Sequence, residues 1–446
     1  MGHLQRVGGA ADRDMKIRAL KASALLSALF IVVYGGCSWI TAQRSGVGTI
    51  YFAWERFIPF VPFFILPYMS IDGFFVAAPF LCDDEVELRT FSRRVAMAIF
   101  VAGACFLLLP LQLAVERPDA AGWLGAVFRQ FCELDRPFNL LPSLHIAFCG
   151  ILGVHYARHS SGPWRALSNV WFSLIAISAL LTYQHHFIDV VGGFVLAAFC
   201  FYFVPESRAK SAVPPTPRLG ASYVVGALTL AIAAVLTRPW GLWLLWPALA
   251  LGIVASGYFG IGPGIYRKRA GTLPWSARFL LAPTLFAQQI SLWHYQRQCH
   301  PWDEVVRGVL IGRQLDDQEA ADALRDGVTA VLDLTAEFSE ASPFRLAAYR
   351  NLPILDLTAP TPAQLREAVS FIDAHVTGGK VYVHCKIGYS RSAAVVGAWL
   401  VASGRAADAD EAMAMLRAVR PSIVIRPEAE AALRKFDAGL ARQPAG

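Results

Sequence analysis

Residues 380–392 read Lys380-Val381-Tyr382-Val383-His384-Cys385-Lys386-Ile387-Gly388-Tyr389-Ser390-Arg391-Ser392, and an apolar stretch from Ala393 to Ala402 follows. The first four residues have the apolar, β-branched character of a strand, and the last ten read as a helix. Between them lies a short loop. A strand, a loop and a helix N-terminus would wrap the backbone N–H groups of Lys386, Ile387, Gly388, Tyr389 and Ser390 around a tetrahedral anion. A cysteine at the start of such a loop faces the positive end of the helix dipole, which favours the nucleophilic thiolate. Arg391, six residues after Cys385, is placed to grip two phosphoryl oxygens with its planar fork. The pattern is suited to taking phosphate from a monoester.

The full string, with His384, Gly388 and Ser392 flanking the Cys-to-Arg spacing, resembles the active-site loop of the protein-tyrosine and dual-specificity phosphatase superfamily. The resemblance spans roughly residues 297–440 and implies an α/β phosphatase domain. It implies that Cys385 forms a phosphocysteine, that Arg391 clamps the phosphate and that Ser392 helps the thiolate leave. His384 would hold the loop and tune the cysteine. Such chemistry also needs a general acid for the departing oxygen. Asp356 ends an apolar run about thirty residues before the cysteine, as the family's aspartate does, and is the preferred candidate; Asp333 is the competitor. Val305 to Gly312 is expected to be the first strand. Arg420-Pro421-Ser422 resembles a late turn of the family with a structural role. Lys386 resembles the phosphatidylglycerophosphate-phosphatase branch and would suit a strongly anionic head group, whereas Tyr389 stands where that branch has a second basic residue.

The rest of the chain is of another kind. Of 446 residues, 55% are hydrophobic and only 16% charged, and the mean hydropathy is +0.44. The apolar windows are concentrated before residue 265. Spanning helices are expected near 21–41, 58–81, 95–114, 143–157, 166–183, 187–204, 221–237 and 239–259. A buried helix of a large soluble protein would carry charge on its outer face, and Val95 to Ala114 carries none. Arg6, Arg13, Lys16, Arg18 and Lys21 precede the first window, which reads as a signal anchor without a cleavage site.

With the N-terminus inside, the basic loops around Arg89, Arg93 and Arg94, Arg158 and Arg165, Arg208, Lys210 and Arg218, and Arg267 to Arg269 all fall on one face. An even number of spans returns the cysteine domain to the cytoplasm, where a thiolate stays reduced. The expected location is a bacterial inner membrane. Of eight cysteines, Cys37, Cys82, Cys105, Cys149 and Cys200 sit in or beside apolar windows, and only Cys132 lies clearly in an outer loop. That argues against a disulfide framework. The net charge of +7 belongs to loops that would meet anionic lipid and includes no nucleic-acid-binding cluster.

A second constellation lies within the membrane part. Pro142-Ser143-Leu144-His145 opens the fourth window, and His185-His186-Phe187-Ile188-Asp189 lies between the fifth and sixth. Ionisable residues at a membrane edge are functional candidates. On a helix, His185 and Asp189 would share one face, so the carboxylate could orient the imidazole for attack on phosphorus. Pro142 suits a first helical turn, where free N–H groups would hold phosphate, and His145 could protonate the leaving oxygen. The pattern resembles the type 2 phosphatidic acid phosphatase superfamily over roughly residues 50–205, and with Asp135 to Leu141 it is nearest the inositol-phosphorylceramide and sphingomyelin synthase branch. This implies His185 as phosphorylated nucleophile, Asp189 as its partner, His145 as general acid and Ser143 as a phosphate contact. Two departures stand out: Ser178-Ala179 replaces a Ser-Arg pair, and Pro110 stands where a lysine is expected before Arg117-Pro118. Arg117 or Arg136 would have to supply the lost charge, and the losses favour head-group transfer over hydrolysis. His186 is expected to be a packing or interface residue, since the i,i+4 spacing belongs to His185.

The expected organisation is a cytoplasmic segment 1–20, a six-span domain 21–205, a linker with two spans and an interfacial helix 206–296, and the phosphatase domain 297–440. Leu273 to Tyr295 is interrupted by Pro274 and Pro283 and reads as a surface helix in preference to a ninth span. The serine- and proline-rich loop from Ser207 to Pro217 separates the core from the added spans, and a short tail runs from about Arg442. Neither resemblance calls for a metal or cofactor. The leading reading is a membrane phosphatase with a cysteine site acting on a phosphorylated lipid head group and a histidine site handling lipid phosphate. The alternatives are a membrane-anchored protein phosphatase acting on phosphoproteins, and a non-enzymatic lipid scaffold gated by the soluble domain.

Overall fold

The computed structural model describes the backbone of residues 2–134, 136–206, 213–237 and 240–440, and side chains over the same ranges except 2–11 and 132–134. Arg208 and Lys210, the middle of the loop from Ser207, the side chains of Arg6 and Cys132, and the tail from Arg442 therefore lie outside the described residues. The chain divides into two compact units, Met1–Arg208 and Ala209–Gly446.

The first unit is helical: α1 (Gly2–Ala42), α2 (Ile65–Ala77), α3 (Glu85–Leu108), α4 (Gly122–Leu134), α5 (Leu144–Arg158), α6 (Gly162–Leu181) and α7 (Phe187–Phe203). Its core joins Val95, Ala98, Ile99 and Ala102 of α3 to Phe148, Ile151 and Leu152 of α5 and to Leu196, Ala197 and Cys200 of α7. Small residues let these helices approach: a Cβ on Gly150 would lie 2.9 Å from that of Ala197. Asp84 caps α3 through the Glu87 N–H, and Ser143 caps α5 through the Ile146 N–H.

Among the described residues six helical segments are long and apolar enough to cross a membrane: Asp12–Ala42, Pro62–Leu81, Glu85–Leu108, Gly162–Leu181, Pro217–Leu236 and Trp240–Tyr266. The expected fourth and sixth spans form helices of only 15 and 17 residues, α5 and α7. Helix α4 was not foreseen, because its residues 122–134 are amphipathic and lie outside every apolar window.

The second unit begins with α8 (Pro217–Leu236) and α9 (Leu245–Ser256), the latter continuing through irregular turns to Tyr266. Then come α10 (Trp275–Leu280) and α11 (Ala282–Tyr295), so the expected single surface helix is two short ones, broken at Leu281 just before Pro283. An α/β domain follows. Its strands are β1 (Trp302–Val306), β2 (Val309–Gly312), β3 (Val328–Thr335), β4 (Ala348–Ile354) and β5 (Lys380–His384). They form one sheet in the order β1-β2-β5-β3-β4, parallel except for the β1–β2 hairpin. The expected first strand, Val305 to Gly312, is thus parts of two strands, which turn at Arg307-Gly308 with Gly308 at φ +88°.

Helices α12 (Asp317–Arg325), α13 (Pro362–Val376), α14 (Ser390–Ala402), α15 (Ala409–Val419) and α16 (Pro427–Leu440) complete the domain. Asp316 and Glu319 form a capping box on α12, and Thr361, Gln364 and Pro362 open α13 in the same manner. The core packs Val309, Leu332, Val381 and Val383 of the sheet against Val395, Val396 and Trp399 of α14. Trp399 is fully buried and donates its indole N–H to Asp373 Oδ1 at 2.6 Å. Replacing such an aromatic by alanine costs about 3–5 kcal/mol. The central strand β5 therefore runs directly into the loop at Cys385, with α14 rising from its other side.

Candidate active sites

The first site is the loop between β5 and α14. Gly388 sits at φ +76°, and a Cβ there would lie 2.5 Å from the Gly312 carbonyl oxygen, so only glycine lets the loop pass β2. Cys385 is buried, which opposes its ionisation. The Arg391 guanidinium, the Ser392 hydroxyl and the backbone N–H groups of Ser392 and Ile387 outweigh that, and the thiol lies below its ordinary pKa.

Arg391 is equally buried and is held by Glu337, with Nη2 2.7 Å from Oε1 and Nη1 3.2 Å from Oε2. It also donates to the Ile354 carbonyl at 2.9 Å. Its remaining reach is to Asp356, whose Oδ1 accepts from Nη2 at 3.1 Å while Oδ2 accepts from Lys386 Nζ at 2.7 Å. Burial raises the Asp356 pKa, but these two cations more than reverse that and leave it below the usual carboxylate value. Asp356, Lys386, Ile387, Tyr389, Ser390 and Arg391 line a cavity of about 210 Å³ with Cys385. Asp333, the rival acid, does not line it: it is fully buried and bonded to Lys268 and Tyr349.

His384 is fully buried, with Nε2 2.8 Å from Glu340 Oε2. Burial disfavours its protonation, yet Glu340, and Asp333 at 3.9 Å, raise its pKa above the ordinary imidazole value. Arg420 is buried and braces the loop by donating to the Ile387 carbonyl at 3.1 Å. Sequence reasoning missed Glu337, Glu340 and Lys268. They lie 45 to 117 residues before Cys385, and no local pattern marks a charge that becomes buried only through folding.

Four residues preceding the α/β domain also reach this site. Lys386 donates to Gln288 Oε1 at 2.8 Å and to Ser291 Oγ at 3.3 Å, both on α11. Tyr295 at the end of α11 lines the cavity. Tyr258, in the irregular turns after α9, donates its hydroxyl to the Asp356 carbonyl at 2.9 Å.

The second site lies in the helical unit. His145, in the first turn of α5, and His185 line one cavity of about 560 Å³ with Tyr34, Tyr68, Asp72 and Phe148. The His145 ring stacks on Tyr68 with centroids 3.9 Å apart. His185 does not share a helical face with Asp189, because α7 starts only at Phe187. Asp189 instead bonds the His186 backbone N–H at 2.8 Å, as a cap of α7. The turn nevertheless brings His185 Nδ1 to 3.7 Å from Asp189 Oδ2. His145 Nε2, His185 Nδ1 and Asp189 Oδ1 are buried without a hydrogen-bond partner among the described residues.

Pro142 precedes the cap Ser143, so it is not in the first turn of α5. The Ser143 hydroxyl is fully buried as that cap, and its N–H donates to the Asp189 carbonyl at 3.0 Å, tying the two motifs together. Arg117 donates to the Tyr183 carbonyl at 2.9 Å and to Gln184 Oε1 at 2.7 Å, bracing the turn that carries His185. Arg136 is exposed and lines neither cavity bordered by His185. His186 packs on Tyr51, but it also bonds a buried glutamate that the sequence did not signal, with Nδ1 3.0 Å from Glu55 Oε2.

The loop, its buried arginine and the sheet that carries them define a cysteine-dependent phosphatase domain. Comparison with known proteins agrees: residues 315–438 match the family model "Dual specificity phosphatase, catalytic domain" and residues 73–203 match "PAP2 superfamily". The chain joins a PAP2-superfamily helical domain to a dual-specificity phosphatase catalytic domain, and it is a phosphoric monoester hydrolase by class.

The chain is 28% identical over 166 residues to phosphatidylglycerophosphate phosphatase PTPMT2 of Arabidopsis thaliana, a match covering 36% of this chain and 72% of that one. It is 36% identical over 97 residues to phosphatidylglycerophosphatase and protein-tyrosine phosphatase 1 of Rattus norvegicus, covering 21% and 50%. Dual specificity protein phosphatase 2 of Mus musculus is 42% identical over 82 residues, covering 18% and 25%. The chain thus spans half or less of these last two relatives. Among solved structures, PTPMT1 in complex with PI(5)P is 25% identical, with a TM-score of 0.30 and coverage of 32% of this chain and 97% of that chain.

Proposed function

We propose that this protein is a membrane enzyme whose cysteine site removes phosphate from a phosphorylated lipid head group at the cytoplasmic leaflet. One observation carries the reading: the wall of the Cys385 cavity is built partly by α11, through Tyr295 and the Lys386 bonds to Gln288 and Ser291. That helix exposes Phe286, Ile290 and Trp293, an apolar surface suited to lying in a bilayer interface. A head group could then enter the cavity while its acyl chains stay in the membrane. The plant relative's name gives the same substrate class, and the rat relative's gives it together with protein tyrosine phosphate.

The chemistry follows from the groups present. The Cys385 thiolate attacks phosphorus, so an S–P bond forms as the P–O bond to the head group breaks. Arg391 spans two phosphoryl oxygens. In the free enzyme it and Lys386 hold Asp356 ionised. A bound phosphate dianion takes over these cations, and Asp356 then takes up from solvent the proton it gives to the departing oxygen. Water next breaks the S–P bond, with the Ser392 hydroxyl supporting the leaving thiolate. His384 and Arg420 hold the loop.

At the other site His185 would attack a lipid phosphate through Nε2, oriented by Asp189. His145 would protonate the leaving group, and water or a lipid alcohol would then accept the phosphoryl group. The Tyr68 stack and the cavity's aromatic walls suit an acyl chain.

The test is phosphate release from phosphatidylglycerophosphate, a phosphorylated inositol lipid, phosphatidic acid and a phosphotyrosine peptide, with the wild type, Cys385→Ser and His185→Ala. Lipid activity lost in Cys385→Ser on one substrate, and in His185→Ala on another, supports both sites. Activity on the peptide alone overturns the lipid reading and leaves a membrane-tethered protein phosphatase.

A further inference from the structure

At the end of α5 remote from His145 lies a cluster that neither phosphate site uses. His155 and His159 are four residues apart and face Glu87, near the start of α3. Each imidazole has one nitrogen committed to a main-chain carbonyl: His155 Nε2 lies 3.0 Å from the Ala78 oxygen, and His159 Nδ1 lies 2.9 Å from the His155 oxygen. A carbonyl only accepts, so these nitrogens carry the ring hydrogens. In the neutral rings the opposite nitrogens then present lone pairs to a carboxylate. His155 Nδ1 is 3.9 Å from Glu87 Oε1, and His159 Nε2 is 3.3 Å from Glu87 Oε2 and 3.8 Å from Asp83 Oδ2. His159 Nε2 and Glu87 Oε1 are buried without a hydrogen-bond partner among the described residues.

Lone pairs aimed at lone pairs need a cation between them. We propose that Glu87, His155 and His159, with Asp83 at the rim, bind a divalent transition-metal ion, zinc by preference. Tetrahedral zinc with bonds of about 2.0–2.1 Å sets its ligand atoms roughly 3.4 Å apart, so the observed spacings close with small side-chain movements. Two imidazoles and a carboxylate are the donor set of a borderline dication. The carbonyls that hold the far ring nitrogens, and the Asp83 N–H that donates to Glu87 Oε2 at 2.9 Å, fix the ligands' orientation as outer partners of metal sites do. A cavity of about 290 Å³ bordered by Asp83, Glu87 and His155 gives the ion a way in. Arg158 is the nearest competing cation, with Nη1 3.7 Å from Glu87 Oε1, but it is drawn off by Glu206 at 2.6 Å. Arg94 also faces Glu206, at 3.6 Å.

His145 and His159 are separated by about 21 Å along α5. The ion therefore takes no part in chemistry at the histidine site; it staples the start of α3 to the end of α5.

The experiment uses the full-length protein in detergent, stripped with a chelator and reloaded with zinc or cobalt(II). The expected result is one metal per chain, a rise in unfolding temperature on loading, and a cobalt spectrum without a thiolate charge-transfer band. Cys385→Ser keeps the equivalent; His159→Asn and Glu87→Gln each lose it while eluting as the wild type does. A metal content unchanged in both variants overturns the proposal. So does a folded wild type that binds no ion, in which case protons alone fill the cluster.

Discussion

Lys268 follows the last apolar segment and enters the phosphatase domain as a buried ammonium, 2% exposed, opposite a fully buried Asp333. Its Nζ lies 2.5 Å from Asp333 Oδ2, 3.1 Å from the Thr335 carbonyl and 3.0 Å from Thr335 Oγ1, so all three of its donors are used. Lys268→Met removes the cation and leaves the carboxylate in the core with Thr335 and Tyr349 donors. Losing one partner of a buried pair costs about 3–5 kcal/mol. At about 2–4 °C per kcal/mol for a domain of this size, the midpoint should fall by roughly 6–20 °C.

The dependence on pH gives a second handle. Burial alone would raise the Asp333 pKa, but Lys268 and His384 bring it down to about 2 from 3.8. A carboxylate depressed on folding contributes stability above its unfolded pKa and loses it as pH falls through the folded one. The Lys268→Met deficit should therefore shrink on acidification from about pH 5 to pH 3, where the variant can protonate Asp333 and the wild type cannot. The assay is thermal unfolding of the detergent-solubilised protein, read by proteolysis of the phosphatase domain. Lys268→Met/Asp333→Asn should recover more than half of the loss. A midpoint within about 2 °C of wild type, or no recovery in the double variant, refutes the reasoning.

Three further outcomes are expected. Alkylation of Cys385 at pH 7 should be fast in the wild type and at least about tenfold slower in Arg391→Met, because burial then dominates and raises the thiol; mass spectrometry of the labelled peptide decides it. Glu337→Gln should lower kcat/KM by about 10²-fold by leaving the Arg391 fork without its bidentate anchor, and rates no different from wild type would deny Glu337 that role. Asp356→Asn should slow release of an alkyl head group by about 10²–10⁴-fold and of a good aryl leaving group far less, which parallel assays on the two substrates would show.

Much of the cysteine site is written in one contiguous stretch. A strand, a glycine-bearing loop and a helix are local events, so HCKIGYSRS signals the turn that carries Cys385 and Arg391, and Asp356, expected from the family resemblance, lines the same cavity just after β4. The histidine site was legible as two short motifs, and the cavity that joins His145 to His185 matches their pairing. Its geometry was less so. The i,i+4 spacing of His185 and Asp189 suggested one helical face, yet the chain turns at His186 and the carboxylate caps α7 instead. The expected fourth and sixth spans became helices of 15 and 17 residues, close to their windows, because Ser143 and the turn at His186 start them where the apolar runs begin.

What the sequence determined by itself is therefore the set of groups whose meaning is local: the phosphate loop, the apolar windows, the histidine motifs and the caps. Tertiary structure alone decided which distant charges become partners. Glu337 on Arg391, Glu340 on His384, Lys268 on Asp333 and Glu55 on His186 are separated by 44 to 131 residues. An isolated Glu or Lys in a sequence reads as a solvated surface residue. Only folding removes its water, and once that water is gone a paired charge is the state that can persist.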